Sequence, residues 1–173
     1  MRHLSYILLA LLTGCDGCKL DDPQPAPKTE LEKLPPATQE GKNTFGCLVN
    51  GKAWYTVSST RASAVYQSGI LSISGTVIKP AVQDIAVNLE EDGGLIQENV
   101  EYQLTSIPYN RASIFFSLDC QYEADDTIFG TLMLTKFDKT NYIVSGIFSF
   151  ETFTANCDTL KVTHGRFDIK YIP

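Results

Sequence analysis

Cys15 closes the stretch Leu12-Thr13-Gly14-Cys15, in which small residues lead up to a thiol. That is the spacing at which an export signal is cut and the cysteine is acylated as a new N-terminus. Arg2 and His3 supply a basic start, and Leu4 to Leu12 an apolar run of signal length, too short to span a bilayer. Residues 1–14 are therefore expected to be a lipoprotein signal peptide, and Cys15 to be lipidated with palmitate-type chains. Each chain adds about 0.8 kcal/mol per buried CH₂, so two or more anchor stably. The expected address is the cell envelope, most simply the outer membrane, with contact to the bilayer made through the N-terminal lipid.

Other residue types invite other chemistry. Cys15 and Cys18 spell C-x-x-C, a redox pair or half a zinc site elsewhere, but acylation removes the first thiol and no second pair completes a ligand set. Cys18, Cys47, Cys120 and Cys157 remain in an oxidising compartment, where three pairings are open. Cys47 alternates with Phe45 and Val49 and reads as a buried thiol, whereas Cys18 lies outside the expected domain; Cys120 with Cys157 is the favoured disulfide. The mature chain holds one histidine, His164, and no Gly-x-Ser-x-Gly elbow, so a Ser-His-Asp site lacks its parts. A turn histidine half in water is the expectation. The acidic clusters Glu90-Glu91-Asp92 and Glu123 to Asp126 depart from the calcium-loop pattern and read as solvated turns. Trp54, Tyr55, Tyr66, Tyr109 and Tyr122 would together make an aromatic binding face, though sheet packing accounts for most of them. Arg166 and Asp168, two apart, are expected to form a surface ion pair. No catalytic residue, metal site or cofactor follows from these patterns.

Charge narrows the partners. Loss of Arg2 leaves 13 basic against 20 acidic side chains, a formal charge of −7, and phosphate backbones repel such a chain. Nucleic acid is excluded on that ground.

Residues 16–44 carry five of the eight prolines, many charges and few apolar side chains, and with lipidated Cys15 they form an expected disordered tether over 15–44. For 29 residues the coil reach is roughly 30 Å. The 129 residues from Phe45 to Pro173 suffice for one core.

Across 45–173 the hydrophobic period is two. Asn50-Gly51 marks a tight hairpin between Phe45–Val49 and the strand starting at Ala53. Leu71, Ile73, Gly75 and Val77 alternate with polar residues, as do Ile85, Val87 and Leu89, and Asp92-Gly93-Gly94 reads as a turn. Tyr102 and Leu104 mark a short strand, and Ile114, Phe116, Leu118 and Cys120 one continuous face. Leu132 and Leu134 follow, then a polar turn at Asp138–Asn141, then Tyr142, Val144, Gly146, Phe148 and Phe150. Leu160 and Val162 lie in even phase but Phe167, Ile169 and Tyr171 in odd phase, which predicts a one-residue bulge at His164-Gly165 with Gly165 at positive φ. The expected fold is all-β: a single antiparallel β-sandwich or flattened up-and-down barrel of about eight to nine strands.

Leu34 to Trp54 (LPPATQEGKNTFGCLVNGKAW), Ser145–Phe150 (SGIFSF) and Thr163–Asp168 (THGRFD) together resemble a family of uncharacterised Bacteroidetes lipoproteins of unknown function. The resemblance implies an extracytoplasmic β domain behind a lipid anchor in a Gram-negative envelope, and transfers no site residues. The sequence thus leads to a lipid-anchored, non-enzymatic envelope module that binds an unknown protein or glycan or serves structure. The alternatives are a lipocalin-like carrier of a small apolar ligand, and a hydrolase using acids such as Asp119 or Glu123.

Overall fold

The computed structural model describes residues 28–91, 95–105, 110–117, 120–155 and 157–173. Among these described residues, eleven strands form two open antiparallel sheets packed face to face, a β-sandwich. One sheet has six strands in the order β2 (Lys52–Thr56), β1 (Thr44–Val49), β11 (Cys157–Lys170), β10 (Ile143–Thr154), β9 (Thr127–Asp138) and β6 (Glu101–Gln103). The other has five, β3 (Ala62–Gln67), β4 (Ile70–Val77), β5 (Gln83–Glu90), β7 (Arg111–Ser117) and β8 (Cys120–Tyr122). The count exceeds the eight or nine expected because β8 is separate from β7 and because the inward residues of β3, Ala62 and Ala64, are too small to mark a strand by hydrophobic alternation.

Period two does its work here: Leu71, Ile73, Ile85, Val87 and Leu89 all point between the sheets with no exposed surface, while Ser72, Ser74 and Asn88 face out. Phe45 and Phe167 fill the middle from the six-stranded sheet, each contributing on the order of 1.5–3 kcal/mol by burial. A Cβ at Gly75 would run into the Phe45 ring, so that glycine is where the second sheet makes room for the first. Asn50 and Gly51 adopt φ of +47° and +78°, the two left-handed residues that a right-twisted two-residue hairpin needs. The Cys120–Cys157 disulfide, with Cα atoms 5.9 Å apart, joins β8 of one sheet to the start of β11 in the other. Beside it the Tyr122 hydroxyl donates to the carbonyl of Asp158.

Three sequence expectations are corrected. The single face drawn through Ile114 and Cys120 is two strands: Ser117 pairs with Cys120, and Ile114 with Tyr122, across a hairpin whose tip, residues 118 and 119, lies outside the described residues. The bulge in β11 is present, with Gly165 opposite Phe148 but Val162 opposite Phe150. The left-handed residue, however, is His164, at φ +54°, and not Gly165. Gly165 is needed for space instead: a Cβ there would stand 2.5 Å from the Phe148 carbonyl oxygen and 2.6 Å from its ring.

The third correction concerns the domain's start. Residues 28–43, placed by composition in the tether, lie against the six-stranded sheet. Leu34 is buried, and Pro35 packs over Gly46 of β1, where a Cβ would meet its ring at 2.9 Å. The carboxylate of Glu30 accepts from the N–H of Ala53 at 2.8 Å, which covers a donor on the otherwise open edge strand β2. The β3 edge of the five-stranded sheet is closed in a related way. Ile172 bonds Ala64 and Tyr66 of β3 through its N–H and C=O, at 2.9 and 2.8 Å.

Candidate functional site

Asp168 shows how the outer face of the six-stranded sheet is partitioned. It lies on the outward side of β11, yet it is 1% exposed, because residues 38–42 fold over it. Its Oδ2 accepts from Thr38 Oγ1 at 2.5 Å and from the N–H groups of Glu40 and Lys42 at 3.1 and 3.2 Å. Its Oδ1 accepts from Gly41 N–H at 2.7 Å and Ser145 Oγ at 2.8 Å. Gly41, at φ +71°, lets successive N–H groups converge on one carboxylate, an anion cradle filled from within. Burial by itself raises this carboxyl's pKa, but the donors of Thr38, Gly41, Glu40 and Ser145 outweigh burial and hold it below the usual carboxylate range. The expected Arg166–Asp168 surface pair therefore does not form. Arg166 instead reaches the carbonyls of Pro35 and His164, both at 3.4 Å.

The strap formed by residues 35–42 crosses the outer face from Gly46 of β1, over Asp168 of β11, to β9, where Gln39 accepts from Lys136 Nζ at 3.1 Å and donates to the Thr135 carbonyl at 3.1 Å. At its margin, by Ala37, a groove of about 380 Å³ runs across the strands. Strand register builds its floor: Arg166 of β11 pairs with Ile147 of β10, Ile147 with Met133 of β9, and Met133 with Glu101 of β6. Four outward side chains thus stand in one row, basic at one end, acidic at the other and apolar between. Ser149, Thr131 and the bulge residue His164 line the neighbouring side. The bulge turns the β11 backbone locally, and a residue in left-handed conformation there projects differently from a regular strand residue. Ile147 is 43% exposed, and farther along β9 and β10, beyond Thr131, Ser149 and Glu151, Phe129 and Phe153 are exposed as well.

Of the residues singled out from sequence, His164 and Arg166 enter this groove. The others do not. Trp54 and Tyr122 are core side chains; the Trp54 indole N–H donates to Gln83 Oε1 at 2.9 Å, tying β2 to β5. Tyr55 is exposed on the opposite side of β2 from Trp54. Tyr66 donates its hydroxyl to Glu91, which pushes the phenol up to about 12, and it packs edge-on against Phe137 and Tyr171. Thus the five-ring face is not assembled; Tyr109 lies outside the described residues, as do Asp92, Asp119, Cys15 and Cys18. Glu123 and Asp126 cap a short 3-10 turn reciprocally. Cys47 is a buried free thiol whose ionisation burial pushes up. Among the described residues no three His, Cys, Asp or Glu side chains converge as a metal site.

Composition did carry one signal for the groove. Met133 stands between core-facing Leu132 and Leu134, and Ile147 between Gly146 and Phe148, so both are apolar residues in the polar phase of their strands. Such out-of-phase residues mark an apolar spot on an outer face. Glu101 had no local signal at all, since only its pairing with Met133 brings it there.

The site offers an apolar floor between opposite charges, an arrangement suited to holding a ligand. Comparison with protein-family models, with curated proteins and with solved structures finds no match to this chain.

Proposed function

We propose that the protein is a lipid-anchored binding module of the cell envelope, most simply of the outer membrane, which holds its ligand in the groove across β11, β10, β9 and β6. The anchor rests on Leu12-Thr13-Gly14-Cys15 and the short apolar run before it. The observation that carries the binding reading is the Arg166–Ile147–Met133–Glu101 row, where apolar side chains remain exposed between charges with no ionic partner among the described residues. A carrier enclosing its ligand is the weaker reading, since large side chains such as Phe45, Phe167 and Leu132 occupy the space between the sheets.

Two measurements test this. Mass spectrometry of the mature N-terminal peptide should find Cys15 acylated; an unmodified thiol would end the anchor reading. The anionic apolar dye 1-anilinonaphthalene-8-sulfonate should fluoresce on binding the full protein. Ile147→Asp should abolish that signal and Ile172→Asp, also exposed but at the β3 edge, should preserve it. Equal dye binding by the wild type and Ile147→Asp would place the ligand site elsewhere.

A further inference from the structure

We propose that the groove's ligand is a short, unblocked apolar peptide of three to four residues, lying across the strands with its carboxylate at Arg166 and its ammonium at Glu101. This rests on the groove being the binding site and adds what occupies it. The argument is one of charge, length and floor. Arg166 spends its guanidinium only on two long contacts to carbonyl oxygens, and among the described residues no carboxylate pairs with it. A planar fork so placed matches a terminal carboxylate, which accepts two parallel hydrogen bonds. His164 lines the groove beside it and brings a further ring nitrogen able to hydrogen-bond to that end.

At the far end Glu101, on a three-residue edge strand, accepts only from Gln103 Nε2 at 3.2 Å among the described contacts and faces no cation. Its carboxylate suits an ammonium.

Length decides between dipolar ligands. Arg166 and Glu101 stand three strand spacings apart, about 14 Å at roughly 4.8 Å each. An extended chain advances about 3.3–3.6 Å per residue, so three to four residues span the distance between the charges. A free amino acid is too short to touch both, and the opposite charges of a zwitterionic lipid headgroup likewise lie too close together. Between the ends, Ile147 and Met133 offer no hydrogen-bonding groups, which selects apolar side chains in the middle of the peptide; the flexible Met133 thioether adapts to their shape. A peptide lying across the strands makes no ladder with them, so the two termini and the central side chain carry recognition.

The test is isothermal titration of the full acylated protein in detergent with the peptide Ala-Leu-Leu-Ala and with its N-acetylated and C-amidated forms. Blocking either end should weaken binding at least tenfold. Arg166→Gln should weaken the unblocked peptide tenfold yet leave the C-amidated form unchanged, and Glu101→Gln should do the same for the N-acetylated form. Thermal denaturation should show each variant still folded. Blocked peptides that bind as well as the free one, or no binding of any form, overturn the peptide assignment. If at the same time dye binding remains sensitive to Ile147→Asp, the groove stays a binding site with a different ligand. Loss of that sensitivity removes the groove itself.

Discussion

The N–H of Gly41 donates to Oδ1 of Asp168 at 2.7 Å, joining two residues 127 positions apart. Four further donors, from Thr38, Glu40, Lys42 and Ser145, complete the carboxylate's shell, so one buried charge gathers the strap's donors onto the sheet. Asp168→Asn replaces an acceptor oxygen by a donor facing other donors. Hydrogen bonds to charged groups contribute about 1.5–3 kcal/mol each before compensation, and this variant should lose about 2–4 kcal/mol in urea denaturation at pH 7.

Acid should act through the same residue. A carboxyl whose folded pKa is lowered contributes stability that is fully present above its unfolded value, about 3.9, and is lost as pH falls through the folded one. The wild type should therefore weaken below about pH 4 by more than Asp168→Asn does, and the stability gap between the two should narrow. A gap that stays constant down to pH 2 would show that the buried carboxylate does not hold the strap.

Truncation offers a second view of the strap. A chain beginning at Phe45 lacks Leu34, Pro35 and every main-chain donor to Asp168, whereas one beginning at Lys28 keeps them. The shorter chain should melt at least several degrees lower by differential scanning fluorimetry, since about 1 kcal/mol moves the midpoint of a domain this size by 2–8 °C. Equal midpoints would return residues 28–44 to the tether.

The bulge makes opposite demands on adjacent residues. Gly165→Ala drives a methyl into the Phe148 carbonyl and ring and should cost about 2–3 kcal/mol. His164→Gly relieves a left-handed φ worth about 1–2 kcal/mol, offset in part by a freer unfolded chain, and should leave stability equal or higher by up to about 1 kcal/mol. Chemical denaturation of both variants checks the ordering, and a destabilised His164→Gly contradicts it.

Reduction reports on the staple between the sheets. Opening Cys120–Cys157, which closes a separation of 37 residues, should lower stability by about 3–4 kcal/mol in the chain-entropy treatment. Buried Cys47 should resist alkylation in the native protein until the sheets part. Rapid modification of Cys47 under native conditions would mean that its side of the core opens easily.

Much of the sandwich was legible because burial on one face imposes alternation on each strand by itself. Ile85, Val87 and Leu89 needed no partner to be read, and the phase switch between Val162 and Phe167 located the bulge to within a residue. Yet the phase switch says only that one residue is extra. That His164 takes the left-handed conformation while Gly165 is kept small by the Phe148 backbone and ring packed against it emerges only in the paired strands. The strap was illegible for a related reason. Its prolines and charges look like a tether, and its attachment runs through backbone N–H groups that every sequence possesses.

The groove marks the same division. Met133 and Ile147, apolar in the polar phase of their strands, gained meaning only once the strands were paired. From sequence came a two-faced β scaffold, an Asn-Gly hairpin and the expectation of an export and lipidation signal. Those properties are local, set by alternation along a strand or by the conformational needs of a turn. Strand order, the choice of sandwich over barrel, the burial of Asp168 and the meeting of Arg166 with Glu101 across β10 and β9 belong to the tertiary structure. Arg166 and Glu101 lie 65 positions apart and meet only through three successive strand registers, which depend on how all the side chains share one interior; no single strand carries that information.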